Sequence, residues 1–129
     1  MKTTRLPDEY TALAPDGSEI RELVAVKGGS MVHCTLPPGT VSLAVVHRTV
    51  EEVWFFLKGR GQVWRKNDER ETVVDVEQGV SLAIELGSHF QFRNTGDRDL
   101  CFVIVTMPPW SGNDEAVRVQ DYWEVKRES

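Results

Sequence analysis

Short apolar runs separated by turn residues repeat along the chain between positions 19 and 106. The runs are rich in Val, Ile, Phe, Trp and Thr, and Gly, Pro, Asn and Asp stand between them, a pattern typical of an all-β sandwich or barrel. No stretch keeps an apolar period of about 3.6 residues over helical length. The pattern predicts strands at 19–26, 30–36, 41–47, 52–58, 61–66, 71–76, 80–85, 90–94 and 100–106.

Two of these runs, 53–57 and 101–105, are apolar at every position. A strand that is apolar on both sides must be covered on both faces, because monomers seldom expose large apolar patches. One face can line the barrel interior, and a second subunit can cover the other, so the sequence predicts a homodimer. Alternatively, the N-terminal segment or the tail between Trp110 and Trp123 covers that face within one chain.

Length and charge limit the classes of protein to consider. The 129 residues fit one domain, which we divide into an N-terminal arm at 1–18, a barrel core at about 19–106 and a C-terminal tail at 107–129. The net charge of −5, without a run of Lys or Arg, disfavours binding to nucleic acid or to anionic membranes. No apolar stretch has membrane-spanning length, and the first ten residues lack the apolar segment of a signal peptide, so a cytoplasmic location is expected.

Two cysteines are too few for a disulfide framework. Cys34 and Cys101 each lie inside an apolar, strand-like run. We expect both to be buried free thiols that pack as small hydrophobic groups, with a disulfide between them as the less favoured alternative.

The segment 39–59 resembles the first motif of the cupin family. That motif consists of a Gly, five residues, His-x-His, three or four residues, a Glu, six residues and a Gly. Four of the five fixed positions match, and Val45 stands in the first His position. The matching residues are Gly39, His47, Glu52 and Gly59.

A second segment, 79–94, resembles the second cupin motif. Gly79, Gly87 and Asn94 are in register, while Glu85 replaces the usual Pro. Phe90 occupies the position of the third His ligand, and His89 lies one residue before it. The resemblance implies an all-β, double-stranded β-helix of the jelly-roll type, similar to small, stand-alone bacterial cupins.

The resemblance also implies a metal site, in which two His, a Glu and a third His hold Fe, Mn, Zn, Ni or Cu. Carried over by position, His47 and Glu52 remain as candidate ligands, whereas neither Val45 nor Phe90 can coordinate a metal. His89 would restore a three-ligand site if a bulge or a late strand start turned it inward, although regular alternation aims it outward. With that site, the resemblance implies a metal-dependent enzyme of the dioxygenase, isomerase or lyase type.

The alternation of inward and outward side chains along each strand predicts a pocket for a small apolar or aromatic molecule. Its lining would comprise Val45, Trp54, Phe56, Phe90, Phe92 and Asn94. Two metal-free functions stay open beside the metal enzyme. One is a ligand-binding or sensing barrel without catalysis, and the other is an acid/base isomerase with His47 and Glu52 as its catalytic residues.

Overall fold

The fold is all-β, as the sequence pattern predicted. The structure, a computed structural model, describes residues 1–125, which contain eleven strands. In chain order they are β1 (Ala12–Leu13), β2 (Glu19–Val26), β3 (Gly29–Leu36), β4 (Val45–His47), β5 (Glu51–Lys58), β6 (Arg60–Lys66), β7 (Glu71–Glu77), β8 (Ser81–Ile84), β9 (His89–Asn94), β10 (Leu100–Met107) and β11 (Ala116–Arg118).

The strands form two antiparallel sheets. One has six strands in the order β1-β2-β3-β10-β5-β8, and the other has five in the order β11-β4-β9-β6-β7. Side chains of both sheets meet between them in an apolar core. Its largest fully buried rings belong to Trp54, Phe56, Phe90, Phe92 and Phe102. Each buried Phe contributes about 1.5–3 kcal/mol to stability, so this aromatic cluster fixes how the sheets face each other.

All nine predicted strands are present, and two are shorter than predicted, namely 41–47 and 80–85, the second of which is observed as Ser81–Ile84. The predicted strand 41–47 pairs as a regular ladder only from Val45. Before it, Val41 makes an isolated bridge to Arg93, and Ser42 bonds Phe92 through its backbone N–H and its hydroxyl. The strands β1 and β11 were missed, because two or three residues are too few to show alternation.

Strand β5 alternates between a buried and an exposed face. Its even-numbered residues from Glu52 to Phe56 face the interior. On the other face, Val53, Phe55 and Leu57 are 45%, 48% and 38% exposed. Neither the N-terminal arm nor the described part of the tail covers this face, so the intramolecular alternative from the sequence does not hold for residues 1–125.

The tail crosses the outer face of the five-stranded sheet instead. Residues 119–125, which we call the C-terminal strap, are held by the fully buried side chain of Gln91. Its amide oxygen accepts the backbone N–H groups of Tyr122 and Trp123, each at 2.8 Å, and its nitrogen donates to the Trp123 carbonyl at 2.9 Å. Tyr122 also stacks on Trp64. The strap is therefore anchored by specific hydrogen bonds as well as by packing.

The thiols of Cys34 and Cys101 are free and buried, as predicted. Cys34 belongs to the apolar core, whereas Cys101 Sγ lies 3.8 Å from the hydroxyl of Thr35. Within residues 1–125 the helical structure is confined to one 3₁₀ turn, Asn113–Glu115, and none of it has the length and apolar character needed to cross a membrane.

Candidate functional site

A cavity of about 570 Å³ lies between the two sheets. Residues of β2, β3, β4, β5, β9, β10 and β11 line it. Two further segments, 12–18 and 109–113, also contribute lining residues, and we call them the roof. The cavity is thus built by the barrel and by both of the segments that flank the barrel in sequence.

Strand alternation brings the motif positions to this cavity. Val45 and His47 are two residues apart on β4, and Glu52 and Trp54 are two apart on β5, so each pair points to one side of its strand. Phe90 of β9 lies directly opposite Val45 in the antiparallel register. All five of these predicted residues line the cavity.

Glu52 is buried with both carboxylate oxygens engaged by donors. The indole Nε1–H of Trp54 donates to Oε1 at 3.0 Å, and the hydroxyl of Thr106 donates to Oε2 at 2.7 Å. Burial raises the pKa of Glu52 to about 7, although both hydrogen bonds act to lower it. The nearby charge of Asp16 raises it further. Near neutral pH this carboxyl therefore exists in both protonation states.

His47 is buried against two aromatic rings. Its ring centroid lies 5.0 Å from that of Phe90 and 5.3 Å from that of Trp110, both in edge-on geometry. Neither ring nitrogen hydrogen-bonds to the described residues, and Nδ1 is buried. Burial lowers the pKa of His47 to about 4, against the opposing charge of Glu115. The imidazole is therefore neutral at physiological pH, and it makes no hydrogen bond to Glu52.

The turn between His47 and Glu52 is fixed by one carboxylate. Glu115 accepts hydrogen bonds from the backbone N–H groups of Thr49 and Val50 and from the Thr49 hydroxyl. No pattern in the sequence indicates this contact, because Glu115 lies in a short 3₁₀ turn far along the chain. Glu115 is a positioning residue for both candidate catalytic side chains.

The residues around the cavity do not fit a metal ion. Val45 and Phe90 occupy two of the four ligand positions of the motifs, which leaves His47 and Glu52. In the part of the chain that the structure describes, no three His, Cys, Asp or Glu side chains are grouped to hold a metal. Two remaining ligands are too few, since protein metal sites usually supply three or four.

His89 does not complete the site. Strand β9 begins at His89 without a bulge, with His89 opposite Val46 and Phe90 opposite Val45. Regular alternation therefore turns Phe90 inward and His89 outward, and His89 is not part of the cavity lining. The predicted trio of His47, Glu52 and His89 is corrected accordingly.

The predicted pocket also extended further between the sheets than the cavity does. Phe56 and Phe92 face inward but pack in the filled core beyond the cavity. Asn94 is buried, and its amide donates to the carbonyls of Leu36 and Arg98, which gives it a structural role. Alternation identified the inward face of each strand, but it carries no information on where the space between the sheets closes.

Other cavity residues were not identified from the sequence. Asp16 of the roof lines the cavity, with Oδ1 accepting from the backbone and hydroxyl of Ser18. Thr106 of β10 lies directly opposite Glu52. The third is Trp110, at the start of the tail segment, which forms part of the roof. For Asp16 the available signal was weak, namely a Pro-Asp-Gly turn before the first long strand.

Comparison with known proteins agrees with this architecture. The sequence profile described as "Cupin domain" matches residues 32–106. The chain is 30% identical over 118 residues to the uncharacterized protein MJ1618 of Methanocaldococcus jannaschii, covering 84% of this chain and 91% of that protein.

Solved structures show the same fold at low sequence identity. One is a conserved protein with a double-stranded β-helix domain from Klebsiella pneumoniae, with a TM-score of 0.66, 17% identity and 92% of each chain covered. Another is a mutant of Bacillus subtilis oxalate decarboxylase, with a TM-score of 0.71, 13% identity and coverage of 87% of this chain and 30% of that one. The matched profile spans more than half of the chain and carries His47, Glu52 and Phe90. The chain therefore belongs to the cupin family.

Proposed function

We propose that this cupin binds a small organic molecule in its cavity without the help of a metal ion. The cavity supports this function because apolar and aromatic side chains line most of it, with a few polar groups at defined places. Cavities of this size and character are typical of small-molecule sites.

One observation favours the metal-free form of the function. The carboxylate of Glu52 is held by Trp54 and Thr106, while apolar side chains at positions 45 and 90 stand where the family places histidines. A metal would require at least one more ligand beside His47 and Glu52. The dioxygenase and lyase chemistry expected of a metal-bearing cupin therefore lacks its ligand set here.

The four tryptophans give a direct test. Trp54 and Trp110 line the cavity, whereas Trp64 and Trp123 lie with the C-terminal strap on the opposite side of the five-stranded sheet. Fragments from a small-molecule library should shift the indole N–H resonances of Trp54 and Trp110. The shifts should be the same in untreated protein and in protein treated with EDTA. The resonances of Trp64 and Trp123 serve as internal controls. Binding that disappears with EDTA and returns with a transition metal would contradict the proposal.

Acid/base isomerisation in the same cavity is the second candidate. It is favoured by the pKa of about 7 of the buried Glu52, which lets this carboxyl donate or accept a proton near neutral pH. The neutral His47 would accept a hydrogen bond or a proton from the substrate. If a ligand is turned over, Glu52→Gln should lower kcat by about 100-fold or more. Unchanged turnover in that variant would exclude Glu52 as the acid/base group.

We also propose that the functional unit is a homodimer formed through the outer face of the six-stranded sheet. The exposed residues Val53, Phe55 and Leu57 form the apolar centre of this face. Glu51 lies at one end of the strand and Lys58 at the other, and a register shift beside Cys101 turns Lys58 to the same face. A two-fold axis near Phe55 would place Glu51 of each copy near Lys58 of the other, so the charges as well as the apolar surfaces match.

A further inference from the structure

The charged residues of the cavity wall all have one sign. Asp16, Glu22 and Glu52 line the cavity, and among the described lining residues there is no Lys or Arg. Among the same described lining residues, His47 is neutral near pH 7 because burial lowers its pKa to about 4. A bound anion would therefore meet negative or neutral groups from every side of this wall.

Two polar side chains of the wall, Asp16 and His47, keep acceptor atoms that no described residue uses. Asp16 uses Oδ1 for Ser18, while its Oδ2 makes no hydrogen bond to the described residues. His47 is 7% exposed, and neither of its ring nitrogens has a partner in the described chain. A carboxylate accepts hydrogen bonds only, and a neutral imidazole accepts through one nitrogen. The unused acceptors of these two side chains suit a ligand that donates hydrogen bonds.

Aromatic rings stand beside these acceptors. Trp54, Phe90 and Trp110 line the same cavity, and the ring of His47 lies between those of Phe90 and Trp110. The faces of such rings attract cations, including ammonium groups, in addition to providing apolar contact. Carboxylates and aromatic rings together are a combination that suits an organic cation.

We propose that the ligand of this cavity is a small organic amine, bound as its ammonium form, with an apolar or aromatic body. The ammonium group would lie between Asp16 and Glu52, and the body would pack against Trp54, Phe90 and Trp110. This inference rests on the proposed small-molecule function and names the chemical class of its ligand. A metal cation would not be equivalent, because the wall offers too few free ligands and its aromatic part would contribute nothing.

Three probes that share one ring test this inference, namely benzylamine, benzyl alcohol and benzoate. Calorimetric titration at about pH 8, above the pKa of Glu52, measures each affinity, and the Trp54 indole resonance locates the binding. We expect benzylamine to bind at least about tenfold more tightly than benzyl alcohol, since hydrogen bonds to charged groups are the stronger ones. Benzoate should bind more weakly than both.

Two conservative variants and two controls assign the effect to the cavity carboxylates. Asp16→Asn and Glu52→Gln should each reduce the preference for benzylamine over benzyl alcohol by about tenfold. Asp16→Asn keeps the Oδ1 acceptor for Ser18, so it tests the inference even if Glu52→Gln fails to fold. Glu71→Gln alters a carboxylate that binds the Trp64 indole outside the cavity, and it should leave the preference unchanged. Asp75→Asn, at an exposed carboxylate bonded to Gln62, should do the same.

The outcomes separate this inference from the function on which it rests. If benzyl alcohol binds in the cavity as tightly as benzylamine, the amine class is refuted and the small-molecule cavity remains. A preference for benzylamine that survives Asp16→Asn and Glu52→Gln would also refute it. If none of the three probes shifts the Trp54 or Trp110 resonances at saturating concentration, both the inference and the proposed function fail.

Discussion

Glu52 and His47 share one cavity, and burial shifts their pKa values in opposite directions. Burial raises the pKa of Glu52 from 4.5 to about 7 and lowers the pKa of His47 from 6.5 to about 4. In both cases the neutral form is favoured, because the loss of water outweighs the interactions that favour the charged form. The folded state therefore prefers two uncharged groups at mildly acidic pH.

These shifts predict two opposite dependences of stability on pH. The raised pKa of Glu52 means that its contribution to the free energy of unfolding is present below pH 4.5 and is lost as pH rises to about 7. The lowered pKa of His47 means that its contribution is present above pH 6.5 and is lost as pH falls to about 4. Each contribution amounts to about 3 kcal/mol, so in the wild type they largely cancel between these limits.

Single variants should separate the two dependences. As pH rises from 4.5 to 7, the free energy of unfolding of Glu52→Gln should increase by about 3 kcal/mol relative to that of the wild type. Urea unfolding across this pH range measures the difference. His47→Gln should instead lose the increase in stability that the wild-type imidazole provides between pH 4 and 6.5. Asp16 also acts on Glu52 and Glu115 on His47, but both are unchanged in the two variants. If both variants keep the wild-type dependence of stability on pH, burial does not control the pKa values of these two groups.

Restoring the two missing histidines should create a metal site. Val45 and Phe90 face each other across β4 and β9, and His47 lies two residues from Val45 on the same side. The double variant Val45→His, Phe90→His would supply three imidazoles beside Glu52, enough to hold Zn²⁺ or Co²⁺. Elemental analysis of the folded variant should give about one ion per chain, and adding His47→Ala should abolish the uptake. A folded variant without metal would mean that these positions do not converge.

Within the strands, the sequence predicted which side chains face the interior, because alternation determines this direction. It placed Val45, His47 and Glu52 on the interior face, and it aimed His89 outward unless a bulge intervened, which the structure bears out. Gly59 was expected from the motif, and it has φ of 86° in a turn where a Cβ would clash with the backbone of Asp99. Asp16 and Trp110 were not predicted because they lie in irregular segments, where no period relates sequence position to the direction of a side chain.

The C-terminal strap is expected to depend on one buried amide. Gln91→Leu would leave the N–H groups of Tyr122 and Trp123 and two carbonyls without their partner, at a cost of about 2–4 kcal/mol. Urea unfolding should give this loss, and hydrogen exchange should show faster exchange at Tyr122 and Trp123. Gln120→Leu, at an exposed amide of the same strap, is the matched control and should change neither measurement. Equal stability of both variants would contradict the anchoring role of Gln91.

For the whole molecule, the exposed face of β5 predicts the oligomeric state. Light scattering at micromolar concentration should give a dimer for the wild type, because Phe55 and its neighbours would otherwise remain in water. Phe55→Lys should weaken the dimer by about 30-fold or more, as expected at the centre of an interface. Val73→Lys makes the same change at a 41% exposed position on β7 of the other sheet and should have no effect. A monomeric wild type would exclude this interface.

The roof joins stretches from opposite ends of the sequence over one cavity, 12–18 before the barrel and 109–113 after it. A guest molecule held beneath them would tie both stretches to the barrel at once, so they should become resistant to proteases together.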